Sequence, residues 1–175
     1  MPPPIPVILA DYDPEWPRLA TRQGERLQAL GPVLVAVHHI GSTSVPGLAA
    51  KPILDLMPLV TDLGDLDRRR AVLEALGFDW HGEYGMAGRR YFTLDDPSGL
   101  RVVQLHCFQA ASPEAVRHLA FRDYLRAHPD ATQAYEQEKR RARALHPDDS
   151  HAYGDEKGAW IRATEAMALN WYGRR

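Results

Sequence analysis

The residues best suited to chemistry stand close together: Gly41-Ser42-Thr43-Ser44, then Lys51, then Asp55. Gly41 lets the backbone turn and approach a ligand closely, while the three hydroxyls sit beside backbone N–H groups. Such a loop suits phosphate oxygens. A carboxylate at Asp55 on the neighbouring strand is placed to hold the magnesium that accompanies a nucleoside triphosphate. The same glycine and hydroxyls would also serve a plain turn between two strands. A Walker A loop is excluded: five residues separate Gly41 from Gly47, Lys51 is displaced, and Pro52 with a strand follows instead of a helix.

Further groups stand later in the chain. His106 lies on a strand with Gln104 on its own face, a placement that suits a proton carrier or a phosphate-orienting group, or equally a histidine bonded within the sheet. His118, Arg122 and Arg126 are four apart and form one cationic edge suited to phosphate. Asp123 shares a helix with them and falls at helical spacing from Val116, Leu119, Ala120 and Tyr124. That placement puts a carboxylate on a buried face, where it needs a cationic partner. Lys157 opens the core-facing stripe of the last helix, and Lys139 lies one turn beyond Tyr135. The run Lys139-Arg140-Arg141-Ala142-Arg143 follows acidic residues and lacks interleaved aromatics, so it reads as a solvated helix face and argues against nucleic acid. No zinc spacing, nucleophile elbow or cysteine-protease signature occurs.

The elements that position these residues are readable in outline. Asp13 and Pro14 open a helix with Trp16, Leu19, Ala20, Leu27 and Leu30 at helical spacing, and Gly31-Pro32 ends it. Strands are expected over 33–39 and 53–59, flanking the loop, and a helix over 63–76. Residues 89–94 and 100–108 flank the turn Asp95–Gly99 as a hairpin. From about residue 112 the pattern is helical: Ser112 caps a helix to about 126, a second spans 131–145, and a last one 153–171. Strands early and helices late make an α+β chain.

Composition sets the frame. One domain over residues 1–175 fits 175 residues with 45% apolar and 25% charged content. With 21 Lys+Arg against 23 Asp+Glu the net charge is −2, which argues against a nucleic-acid coat or a polybasic membrane anchor. The single Cys107 forbids an intramolecular disulfide. The opening Met1-Pro2-Pro3-Pro4-Ile5-Pro6 does not read as a signal peptide, and no apolar stretch approaches the ~20 residues of a membrane helix. A cytoplasmic protein is expected.

Taken together, Tyr12–Pro17, the run from His39 through Asp55, Leu105-His106, Phe121–Arg126 with His128-Pro129, Tyr135 with Lys139 and Tyr153 with Lys157 resemble the GrpB family of small bacterial proteins over nearly the whole chain. The resemblance implies a nucleotidyltransferase-like mixed sheet with packed helices and a helical C-terminal portion. It further implies Gly-Ser ending one strand and two acidic residues, one apart, on the next. Strand side chains alternate, so positions i and i+2 face the same way about 6.6 Å apart. Asp55 supplies the first carboxylate, but Met57 stands at the second, and a thioether is a poor magnesium ligand. The expected function is an enzyme that transfers a nucleotidyl or phosphate-containing group from ATP or another nucleoside triphosphate to an acceptor, with Mg²⁺. Gly41, Ser42, Thr43, Ser44, Lys51, Arg122, Lys139 and Lys157 would bind the ligand, Asp55 the metal, and Asp55 with His106 would act catalytically. The alternatives are a non-catalytic nucleotide- or phosphate-binding module with a degenerate metal site, and an ATP-dependent carboxylate-activating ligase.

Overall fold

The computed structural model describes residues 4–175; Met1, Pro2 and Pro3, part of the stretch read against a signal peptide, lie outside the described residues. In chain order the elements are α1 (Trp16–Leu27), β1 (Leu34–Ile40), β2 (Leu54–Val60), α2 (Leu63–Arg68), α3 (Arg70–Ala75), β3 (Asp79–Trp80), β4 (Arg90–Asp95), β5 (Arg101–Gln109), α4 (Pro113–Ala127), α5 (Pro129–Leu145), α6 (Ser150–Glu156) and α7 (Gly158–Tyr172). The five strands form one mixed sheet in the order β1-β2-β5-β4-β3. Only the β2–β5 pair is parallel; the others are antiparallel. The α+β class and the mixed sheet with packed helices are therefore as expected.

Several boundaries differ for local reasons. Asp13 accepts from the Glu15 N–H (2.8 Å) and shapes the approach, while Glu15 is the N-cap of α1. The first helix ends at Leu27 and passes into a 3-10 segment, Gln28–Val33, where Gly31 turns the chain at φ 67°. The helix expected over 63–76 is two, broken at Arg69, whose backbone leaves the helical region. The last helix is likewise two, with Lys157 at the junction of α6 and α7. Asp149 caps α6 by accepting from the His151 and Ala152 N–H groups. The β2–β5 pairing runs from Leu54 to Leu56 and resumes at Leu59, so Pro58, which has no N–H to give, falls in the interval.

The sheet is covered on both faces, because β2 contributes apolar residues to each. Leu54, Leu56 and Val60 join Trp16, Leu27, Leu66, Leu73, Phe92 and Leu105 in the main core under the early helices. On the opposite face Met57 and Leu59 pack with Ile40, Phe108 and Ala115 of α4. A third cluster, Val45, Leu48, Leu125 and Tyr135, ties the loop after β1 to the C-terminal helices. Of the expected inward stripe of α4, Ala120 is buried and Leu119 packs against the second cluster, while Val116 is exposed; Ala115 and Leu125 complete the buried face. The helix follows both the sheet and α7, so its buried face is wider than a single stripe. The N-terminal segment straps across the helices: Val7 N–H donates to the Pro147 carbonyl, and Arg143 donates back to the Val7 carbonyl.

Candidate functional site

β1 and β2 are antiparallel neighbours, so the chain leaving β1 at Ile40 lies beside Asp55 as β2 begins. Gly41 takes φ 69° and ψ −171°, a region essentially restricted to glycine, and a 3-10 turn over Ser42–Ser44 follows. The turn is closed by the Ser44 N–H (3.1 Å) and hydroxyl (2.5 Å), both donating to the Gly41 carbonyl. His39 Nε2 lies 2.8 Å from Thr43 Oγ1. Burial, then Arg126, pushes the His39 imidazole down to about 4, so it meets the threonine as a neutral ring at neutral pH.

Asp55 is held from the β5 side. Its Oδ1 is 3.0 Å from His106 Nε2, and His106 Nδ1 lies 3.5 Å from Arg89 Nη1. A guanidinium only donates, so Nδ1 accepts and the ring proton on Nε2 points at the carboxylate. Arg89 is itself fixed by the Tyr84 and Glu83 carbonyls. His106 thus orients Asp55 in this arrangement, and Gln104 stands opposite Asp55 in the strand register.

The helices supply the cations through a repeated spacing. Tyr135 and Lys139 on α5, and Tyr153 and Lys157 around α6, are each four apart and so share one helix face. Lys139 Nζ lies 4.8 Å from the Tyr135 ring centre and Lys157 Nζ 3.8 Å from that of Tyr153. Lys139 Nζ also donates to the Ala49 carbonyl at 2.8 Å. With Lys51 from the loop, these residues join Gly41, Ser42, Thr43, Asp55 and Gln104 around a pocket of about 240 Å³. Burial pushes all three ammonium groups down: Lys51 from its usual range, Lys139 well below it, and Lys157 to about 8 with Lys51 adding repulsion. Three crowded lysines, whose ammonium forms burial disfavours, face one carboxylate. A multiply charged anion relieves that imbalance, and a linear phosphate chain has the charge density to do so.

The expected ligand residues divide accordingly. Gly41, Ser42, Thr43, Lys51, Lys139 and Lys157 are brought together around the pocket with Asp55. Ser44 is buried and spends its hydroxyl on the turn. Arg122 does not line the pocket: Nε donates to Asp123 (2.8 Å) and Nη1 to the His39 carbonyl (3.2 Å). Arg126 similarly donates to the Ser44 carbonyl. The two arginines clamp α4 onto the loop, and burial with Arg117 beside it drives His118 down to about 3, so no cationic edge of three forms. Asp123 finds its partners in Arg122 and Arg175. A larger groove of about 740 Å³ lies on the far side of the loop, but its Glu136 is already engaged by Arg140 and the Ala49 N–H. Tyr135 and Tyr153 had no assigned role in the sequence; their spacing to the lysines was the available signal.

For a metal, the donors are Asp55 and the Gln104 amide oxygen. Among the described residues no group of three His, Cys, Asp or Glu side chains is gathered. Met57 is wholly buried among Ile40, Leu59 and Phe108, so the second carboxylate position has become core. One carboxylate with ligand phosphates fits a single Mg²⁺, an ion that keeps several waters and takes few protein ligands. The set does not fit a pair.

The mixed five-stranded sheet with its packed helices is a nucleotidyltransferase-like fold. The Cid1 poly(U) polymerase, solved with Mg 3'-dATP bound, superposes with a TM-score of 0.56 at 13% identity, covering 85% of this chain and 49% of its own. The GrpB family (GrpB protein) matches residues 6–167, and the chain belongs to that family. GrpB from Enterococcus faecalis, described as a conserved protein, superposes with a TM-score of 0.88 at 36% identity over 94% of this chain and 99% of that one. UPF0157 protein YqkA of Bacillus subtilis is 38% identical over 95% of this chain but 48% of its own length, so the chain spans about half of that relative. A dephospho-CoA kinase of Mycolicibacterium paratuberculosis is 31% identical over 95% of this chain and 47% of its own. No helix among the described residues is long and apolar enough to cross a membrane.

Proposed function

We propose that the three-lysine pocket holds the phosphate chain of a nucleoside triphosphate and that the protein transfers a nucleotidyl group to an acceptor hydroxyl. The single observation that carries this reading is the convergence of Lys51, Lys139 and Lys157 on a pocket containing one carboxylate. The lysines neutralise the phosphate oxygens, and Ser42 supplies a hydroxyl beside them. His106 fixes the orientation of Asp55. Asp55 would hold a single Mg²⁺, which when bound supplies charge neutralisation at the transferring phosphate. In the transfer a new P–O bond forms to the acceptor as the bond to pyrophosphate breaks, and the acceptor's proton passes to solvent. The buried Met57 leaves room for only one metal, so the lysines carry charge that a second ion would otherwise supply. One similarity supports a nucleotide ligand: the Mg 3'-dATP-bound polymerase shares the fold.

The second reading is a binding module without turnover, and the buried Met57 is the observation that favours it. Thermal unfolding with ATP, with and without Mg²⁺ or Mn²⁺, tests binding: saturating ligand at about 100 times its Kd adds roughly 2.7 kcal/mol of stability. No stabilisation at millimolar ATP overturns both readings. Stabilisation without pyrophosphate release across a panel of hydroxyl acceptors favours the module.

A further inference from the structure

The pocket's aromatic rings are already occupied. Tyr135 is stacked on Trp160, with centres 4.7 Å apart and planes 4° from parallel, and Lys139 Nζ sits over the Tyr135 ring at 4.8 Å. Lys157 Nζ lies 3.8 Å from the centre of Tyr153, with Lys51 Nζ at 6.0 Å. Tyr135 and Tyr153 are both buried. Neither ring offers a face on which a base could stack without expelling a lysine. The pocket volume, about 240 Å³, falls below the roughly 300–1,000 Å³ of pockets that enclose a drug-sized molecule. A whole nucleotide does not fit inside; its most highly charged part does.

We propose that this pocket recognises a linear polyphosphate chain and not the base attached to it. Its ligand class is then phosphoanhydrides in general, inorganic tripolyphosphate included. This deepens the proposed function and rests on it. Base recognition elsewhere on nucleic-acid-binding proteins draws on stacking, which contributes roughly five- to 150-fold in affinity per base. That contribution is missing from the arrangement around Tyr135 and Tyr153, whose π-faces hold ammonium groups instead.

Calorimetric titration of the unmodified protein with ATP, GTP, CTP, UTP and inorganic tripolyphosphate, each with and without Mg²⁺, tests the proposal. The expected result is five dissociation constants within about tenfold of one another under either condition. A spread among the four nucleotides greater than about tenfold, or tripolyphosphate weaker than ATP by more than that, overturns base-indifferent recognition while leaving triphosphate binding intact. Binding by none of the five overturns the proposed function itself, and this inference with it.

Discussion

A Cβ placed on Gly41 would stand 2.5 Å from the Oδ2 of Asp55 and 3.0 Å from its Cβ. The glycine after β1 and the carboxylate on β2 are thus fitted to each other, and the phosphate-suited loop and the metal-suited residue form one unit. Gly41→Ala is expected to lose roughly 1–3 kcal/mol of stability, because φ 69° with ψ −171° is strained for alanine and Asp55 must also move. Urea denaturation measures this. The variant is also expected to bind ATP more weakly than wild type; wild-type stability with wild-type affinity would contradict the fit described here.

Lys157 gives a pH dependence. Its ammonium is held at about 8, against 10.5 in an unfolded chain, by burial and by Lys51. Between those values the unfolded chain retains a proton that the folded chain has released, so ligand-free stability rises with pH through that window. Lys157→Met is expected to lack this rise, and the difference between variant and wild type isolates it from other titrating groups. A bound triphosphate favours the ammonium, so ATP affinity falls as pH rises through about 8. Calorimetry at pH values on either side of the window checks the sign.

Arg122 is expected to behave oppositely to Lys157. It joins α4 to the end of β1 through the His39 carbonyl and holds Asp123. Arg122→Met is expected to cost about 1–3 kcal/mol, the range for losing hydrogen bonds to charged groups, with ATP affinity changed far less than in Lys157→Met. An affinity loss without a fall in melting temperature would return Arg122 to the ligand site.

Asp55→Asn separates metal binding from phosphate binding. Without Mg²⁺ the carboxylate repels phosphate, so the asparagine variant is expected to bind free ATP at least as tightly as wild type. With Mg²⁺ present, wild type is expected to gain affinity and the variant to gain none. An equal Mg²⁺ effect in both would remove Asp55 from the metal site.

Much of this arrangement was legible in the chain, and the rest was hidden for definite reasons. The β1–loop–β2 unit follows from local signals: β-forming residues, a glycine, hydroxyls, and a second apolar run carrying one aspartate. The hairpin and the Ser112 cap are equally local. The breaks at Arg69 and Lys157 were not visible, because both sit in stretches whose apolar spacing stays helical across them. The different fates of Arg122 and Lys139 depend on contacts 83 and 90 residues away in sequence, to His39 and Ala49 respectively. Periodicity places a side chain on a face but does not say what that face meets. Met57 shows the same limit: the family resemblance, which implies a carboxylate at that position, marked its absence, while its burial with Phe108 came only from packing.

On the proposed function, a nucleoside triphosphate binds in the lysine pocket. Calorimetric titration of Mg²⁺-ATP into wild type and Lys157→Met tests it most directly. Wild type is expected to bind, and the variant to lose about tenfold or more in affinity, the equivalent of one charge-assisted contact of roughly 1.4 kcal/mol or above, with the melting temperature of the ligand-free variant preserved or raised. Equal affinities for the two proteins would contradict it.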